Sequence, residues 1–83
     1  MNYREKIQEI NPDAILWDDL DECIIGITNE GKAVYDIHKM ELHFQKQDNI
    51  PFEDAVDWVE FNILGAYVGD FTPVHVWVIP DEK

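Results

Sequence analysis

The stretch of residues 52–73 constrains the fold more than any other part of the chain. Its apolar residues recur at the i, i+3, i+4, i+7 spacing of a helix that buries one face: Phe52, Ala55, Val56, Val59, Ile63 and Ala66. Pro51 suits the first helical position, and Gly65 lies where helices commonly end in a left-handed residue. Gly69 then indicates a turn, and Pro73 opens an apolar run at residues 74–79. The pattern predicts a long helix, a turn and a final strand.

Three residues of this stretch break the helical pattern. Asn62 projects to the apolar side, so we expect its amide to be buried and bonded to the backbone of residues 65–73, or else to contact a ligand. Phe61 and Leu64 project from the acidic side. They either pack under another element or form an apolar contact patch ringed by carboxylates.

The rest of the chain predicts short, alternating elements. A helix is expected at residues 2–10, a strand at 14–17, and a hairpin from 23–28 and 32–35 around a turn at 29–31. Asp36 suits the cap of a helix at 37–47, although Met40, Leu42 and Phe44 also alternate as in a half-buried strand. Residues 74–79 are apolar on both faces apart from His75, which places them inside the sheet.

This order of elements predicts one α+β domain spanning residues 1–83. A small, mostly antiparallel sheet of three or four strands would carry two or three helices packed on it. The single cysteine, Cys23, leaves no disulfide framework, as in proteins of a reducing cytosol. No segment resembles a signal peptide or reaches the length of a membrane span, so we expect a cytoplasmic protein.

Charge is the strongest compositional feature. Eighteen acidic residues against six basic ones give a formal net charge of −12. That field opposes direct binding to nucleic acid or to an anionic membrane, and it attracts a protein partner with a basic surface. The alternative is that the acidity serves only solubility.

The acidic residues suggest two candidate sites. Glu53, Asp57 and Glu60 lie on one arc of the long helix, with rises of about 6 and about 4.5 Å at 1.5 Å per residue, comparable to phosphate spacing along a strand. This face is a candidate nucleic-acid mimic, and a merely solvated helix face is the alternative. A second group follows residues 14–17 and would extend the row: Asp18, Asp19, Asp21 and Glu22.

The second group also allows a different function. Asp19-Leu20-Asp21 resembles the D-x-D of metal-dependent phosphoryl-transfer enzymes, in which carboxylates hold Mg²⁺. A divalent-metal-binding domain or an enzyme using residues 18–22, with Asn62 and Tyr67, is therefore the alternative reading. The chain has no serine nucleophile, and neither its histidine spacing nor its one cysteine makes a zinc site. We therefore assign no catalytic residue, metal or cofactor from the sequence.

Residues 61–69, F-N-I-L-G-A-Y-V-G, together with Thr72-Pro73, resemble a family of small tailed-bacteriophage proteins that share an F-N-x-x-G-A-Y-x-G segment before T-P and a last strand. Residues 18–26 and 33–36 are similar to the amino-terminal half of that family. Asp19 stands where the family has a small residue, which makes this loop more acidic. The resemblance implies a viral origin and a host cytoplasm, but no catalytic residue. The predicted function is an acidic phage accessory protein that binds a host protein, as a nucleic-acid mimic or inhibitor.

Overall fold

The structure, a computed structural model, describes residues 3–79 and confirms the α+β class. Helix α1 (Tyr3–Ile10) is followed by a 3-10 turn (Asp21–Cys23), strands β1 (Ile24–Ile27) and β2 (Ala33–Asp36), helices α2 (Ile37–Asp48) and α3 (Phe52–Val59), a π-helical turn (Glu60–Leu64) and strand β3 (Val74–Val76). Residue 2 of the predicted first helix lies outside the described residues. Among residues 3–79, every helix is too short or too polar to cross a lipid bilayer.

The three strands form a small open sheet in the order β1-β2-β3. Strands β1 and β2 pair antiparallel, with Ile24 opposite Tyr35, so the predicted hairpin is confirmed. Strand β3 pairs parallel to β2, with Val34 opposite Val74, and lies at the edge of the sheet. The interior position predicted for residues 74–79 is wrong, because only three of these residues pair and Trp77, Val78 and Ile79 are exposed.

The hairpin turn is closed by side chains as well as by backbone. The Thr28 hydroxyl accepts hydrogen bonds from the backbone N–H groups of Glu30 and Lys32. Gly31 adopts a left-handed φ of 92°, and its carbonyl accepts a hydrogen bond from Asn11 Nδ2 at 2.9 Å. A Cβ at Gly31 would lie 2.7 Å from that nitrogen. The turn therefore requires glycine for both its conformation and its space.

Helix α2 begins and ends as its sequence indicates. Asp36 Oδ1 accepts a hydrogen bond from the Lys39 backbone N–H at 3.3 Å, and the helix ends at Asn49 in the left-handed conformation. Met40 and Phe44 are buried while Leu42 is exposed. A strand would have turned all three to one face, so the helical interpretation of this segment is confirmed.

The core lies between the sheet and helices α2 and α3. On α3 the buried stripe is Ala55 and Val59, continued by Ile63 in the π-helical turn. The rings of Phe44 and Trp58 join the two helices, with centroids 4.3 Å apart. The buried apolar residues form one cluster: Ile7, Leu20, Cys23, Ile24, Ala33, Tyr35, Ile37, Met40, Phe44, Ala55, Val59 and Ile63.

The strand predicted at residues 14–17 is not formed. These residues are half-buried and belong to no strand or helix. The Ile15 N–H donates to the Phe71 carbonyl at 3.4 Å, and the Trp17 N–H donates to the Tyr35 hydroxyl at 2.8 Å. The prediction is wrong because scattered loop and side-chain acceptors satisfy this backbone in place of a strand ladder.

Candidate functional site

The acidic loop of residues 18–22 follows the irregular segment at 14–17 and leads into the 3-10 turn before β1. Its four acidic residues are exposed, whereas Leu20 is buried and anchors the loop to the core. Asp18 and Asp19 form a tight turn in which Asp19 adopts a left-handed φ of 63°. Asp tolerates this conformation better than most residues, because its short polar side chain can bond locally.

Arg4 holds one end of the loop. Its Nε donates to both carboxylate oxygens of Asp21, at 2.8 and 2.9 Å, and a terminal nitrogen donates to the Trp17 carbonyl at 2.9 Å. The hydrogen bond to Asp21 raises the pKa of the Arg4 guanidinium. Helix α1 is thereby tied to the acidic loop.

His43 of helix α2 holds the other end. Its Nδ1 lies 2.8 Å from Glu22 Oε1. Because an ionised carboxylate only accepts, Nδ1 carries the proton in this bond. His43 Nε2 is buried and has no hydrogen-bond partner among residues 3–79. In the neutral ring this nitrogen is an unsatisfied acceptor.

Two cavities meet at this loop. The acidic cleft is open, has a volume of about 890 Å³, and is lined by Arg4, Asp18, Asp19, Asp21, Glu22, His43 and Gln47. The aromatic pocket is smaller, about 270 Å³, and is lined by Trp17, Asp18, Asp19, Leu20, His43, Phe44, Gln47, Trp58, Asn62 and Ile63. Asp18, Asp19, His43 and Gln47 line both cavities, so the two are contiguous.

Trp17 is fixed in the wall of the aromatic pocket by His75 of β3. The indole Nε1 donates to His75 Nε2 at 2.9 Å, and the two rings are nearly parallel, with centroids 5.9 Å apart. Burial lowers the pKa of His75, which keeps Nε2 unprotonated and able to accept this bond. A neutral His75 therefore fixes the position of Trp17.

The other acidic group, two residues of α3 and one of the π-helical turn, does not join the loop in either cavity. Glu53, Asp57 and Glu60 are exposed, as the helical arc predicts, but none of them lines the acidic cleft or the aromatic pocket. Glu60 acts on α2 instead. Burial raises the pKa of the Glu41 carboxyl, the hydrogen bond and charge of His38 oppose this shift, and the charge of Glu60 adds to it. The acidic loop and the group of Glu53, Asp57 and Glu60 are therefore two separate acidic groups with respect to the cavities, because neither cavity is lined by both.

The structural roles predicted for Asn62 and Gly65 are wrong. Gly65 has φ −92° and ψ 0°, and no atom lies within 4 Å of a Cβ placed there. The Asn62 side chain is exposed, and its Nδ2 donates back to the Trp58 carbonyl at 2.9 Å rather than to residues 65–73. The π-helical turn at Glu60–Leu64 is wider than an α-helical turn, so the direction of Asn62 read at 100° per residue is wrong, although Ile63 is still buried as predicted.

Gly69 and the two apolar candidates have different outcomes. Gly69 has φ 136°, and the Thr72 hydroxyl closes its turn by donating to the Gly69 carbonyl at 2.6 Å. Phe61 is 83% exposed. Leu64 is half-buried and packs against the core cluster. Phe61 therefore has the exposure of a contact residue, and Leu64 contributes to the core.

The metal-site alternative finds no support in the side-chain geometry. Among residues 3–79, no group of three His, Cys, Asp or Glu side chains is placed to hold a metal ion. Cys23 is buried, and burial raises the pKa of its thiol to about 11, so the thiolate that binds metals or attacks substrates is suppressed.

Several residues of the site carry no signal in the sequence. Arg4 reaches Asp21 across 17 positions, and His43 reaches Glu22 across 21. Trp58 lines the aromatic pocket and is 40% exposed. Its only local signal in the sequence is that a large aromatic residue interrupts the polar face of α3.

Comparisons with known proteins assign no family. Neither a scan against protein-family models nor searches of curated proteins and of solved structures found a match to this chain. Its function must therefore be inferred from its own residues.

Proposed function

We propose that this protein is a small acidic binding domain whose partner is a protein with a basic surface. One observation carries the proposal. The carboxylates of Asp18 and Asp19 are exposed between two contiguous cavities, and neither forms a hydrogen bond or an ion pair with any of residues 3–79. Exposed carboxylates that form no hydrogen bond or ion pair, beside a concave surface, are suited to receive cationic side chains from outside. Arg4 of the same cleft acts on Asp18 only through longer-range attraction.

The charge of the whole chain supports the same kind of partner. A net charge of −12 produces a long-range field that speeds encounters with a basic surface. At physiological salt that field is screened within about 8 Å. Added salt should therefore slow association steeply and change dissociation less.

The resemblance of residues 61–73 to tailed-bacteriophage proteins suggests where the partner is found. We propose a phage accessory protein that acts in the host cytoplasm on a host protein. The nucleic-acid mimic is a narrower form of this proposal, because it needs carboxylates in a row. Exposed acidic residues also lie on α1, in the hairpin turn and at the end of α2, namely Glu9, Glu30 and Asp48, a distribution that favours a general basic partner.

The test is affinity capture of partners from a bacterial lysate, with the wild-type protein and two double variants as immobilised proteins. Each variant replaces two carboxylates by amides. Asp18→Asn with Asp19→Asn removes the cleft charges, and asparagine tolerates the left-handed conformation of residue 19. Asp13→Asn with Glu30→Gln removes the same charge from exposed positions that line neither cavity. We expect a partner to be retained by the wild type and by the second variant, but lost from the first.

The salt dependence of binding completes this test. The association rate of the captured partner should fall as salt is added. A partner that associates at the same rate at all salt concentrations, and binds both variants equally, would overturn the proposal. Replacing Glu53, Asp57 and Glu60 by their amides tests the mimic form, since a mimic should lose most of its binding.

A further inference from the structure

We infer that the aromatic pocket receives the side chain of an arginine from the partner. This inference rests on the proposed function, and it specifies which side chain of the basic partner would contact this protein. The guanidinium would lie among the rings of Trp17, Phe44 and Trp58, with its charge directed to the carboxylates of Asp18 and Asp19.

The walls of the pocket suit a cation. Tryptophan is the aromatic side chain that attracts cations most strongly, and two of the three tryptophans of the chain line this cavity. Phe44 and Trp58 meet at 37°, and the bond to His75 fixes Trp17, so the walls are formed before any ligand arrives. A preformed wall lowers the entropy cost of binding.

The polar groups of the pocket suit a guanidinium in particular. A guanidinium carries five N–H donors in a planar fork and has no acceptor. The carboxylates of Asp18 and Asp19 line the pocket and offer acceptors that no donor of residues 3–79 occupies. His43 also lines the pocket, and its buried Nε2 has no hydrogen-bond partner among residues 3–79. An entering N–H that reached His43 Nε2 would satisfy the one buried side-chain polar atom that lacks a partner within residues 3–79.

The loop already binds one guanidinium from within the chain. Arg4 donates to both oxygens of Asp21 and to the Trp17 carbonyl, on the side of the loop that faces the acidic cleft. Asp18 and Asp19 offer two more carboxylates a few positions earlier in the same loop. Arg4 thus shows that the loop backbone and its carboxylates can receive the planar fork.

The size of the pocket favours a single side chain. Cavities that bind drug-sized molecules span roughly 300–1,000 Å³. At about 270 Å³ the aromatic pocket is below that range. The contiguous acidic cleft leaves room for the chain that carries the arginine.

The experiment uses three blocked pentapeptides with alanine at four positions and arginine, lysine or citrulline at the centre. Citrulline has nearly the shape of arginine but no charge. Binding is followed by NMR through the indole N–H signals of the wild-type protein. Trp77 is an internal reference, because it is 60% exposed and does not line the pocket.

We expect the arginine peptide to shift the Trp17 and Trp58 signals and to leave that of Trp77 unchanged. Citrulline should bind about tenfold more weakly or not at all, and lysine should bind more weakly than arginine. Asp18→Asn with Asp19→Asn should weaken arginine binding about tenfold, and Asp13→Asn with Glu30→Gln by less than about twofold. Trp58→Leu should abolish the response, and Trp77→Leu should preserve it.

Equal binding of citrulline, or of lysine, would overturn the assignment to arginine, and so would a Trp77 shift as large as that of Trp58. These results come from the wild-type protein and do not depend on the folding of a variant. If the peptides fail while a captured partner still associates in a salt-dependent way, the pocket is excluded and the proposed function survives. If that partner is also indifferent to salt, both fail.

Discussion

The hairpin side of the molecule (residues 11–36) and the C-terminal segment (residues 60–79) use their apolar side chains in different ways. In the hairpin side, Cys23, Ala33 and Tyr35 are fully buried, and Thr28 and Asn11 close the turn. In the C-terminal segment the largest apolar side chains are exposed, including Phe61, Tyr67, Trp77 and Ile79. Only two of residues 60–79 are Asp, Glu, Lys or Arg, namely Glu60 and Asp70. The first region thus contributes buried packing, and the second contributes a mostly uncharged surface on an otherwise acidic protein.

A pair of glycine substitutions should show the largest contrast. Gly31→Ala forces alanine into φ 92° and against Asn11, so we expect a loss of about 1–3 kcal/mol in the free energy of unfolding. Gly65→Ala meets neither strain nor contact and should change stability by less than about 1 kcal/mol, in the stabilising direction. Urea unfolding of both variants measures this. Equal losses would show that the two turns are alike.

The next contrast concerns two aspartates. Asp36→Ala removes the cap of α2 and should cost about 1 kcal/mol. Asp70→Ala in the exposed turn of the C-terminal segment should cost less than about 0.5 kcal/mol. Thermal unfolding of the two variants compares them directly. If Asp70→Ala lowers the free energy of unfolding more than Asp36→Ala does, the turn at Asp70 contributes more to stability than its exposure indicates.

A smaller, pH-dependent effect should come from His75, where the two regions meet at Trp17. Its folded-state pKa lies below its ordinary value of 6.5, so the unfolded chain takes up the proton first as the pH falls. The stability contributed by neutral His75 is complete above pH 6.5 and is lost as the pH falls toward the lowered pKa. His75→Gln should remove this part of the pH profile, and an unchanged profile would contradict it.

The smallest effect is expected at Phe61. Phe61→Ala removes a large side chain that is already in water, so the free energy of unfolding should change by less than about 0.5 kcal/mol. Chemical denaturation measures it. A loss above about 1 kcal/mol would show that Phe61 is covered, and the contrast between the two regions would then fail at its clearest position.

Local signals predicted the hairpin of β1 and β2 and helix α2 well. Asp36 directly precedes an amphipathic run, and Gly31 lies in a short polar turn between two apolar runs. Neighbours in sequence therefore determine both structures. The predictions failed where distant groups decide the outcome. Residues 14–17 have a strand-like composition, but a loop carbonyl at Phe71 and the Tyr35 hydroxyl take up their backbone donors.

The C-terminal segment was predicted least well, because its geometry departs from regular periods. The π-helical turn invalidates the 100° wheel at Asn62, and it ends in a Gly65 of ordinary negative φ. Of the candidate site, the acidic loop was evident from the run of acidic residues at 18–22 in the sequence. The aromatic pocket was not, since Trp17, His43 and Trp58 come from three separate elements and meet only in the folded chain.

The open edge of β3 has a consequence for the handling of the protein. Its outer side pairs with no other strand among residues 3–79, and the exposed Trp77, Val78 and Ile79 continue it. Such an edge is a template for intermolecular strand pairing, and mutual repulsion between highly charged molecules opposes that pairing. Acidification removes the repulsion by protonating carboxylates, while the edge stays as it is. Solutions of this protein should therefore become turbid as they are brought toward their isoelectric point, and a lysine in place of Val78 should delay that turbidity.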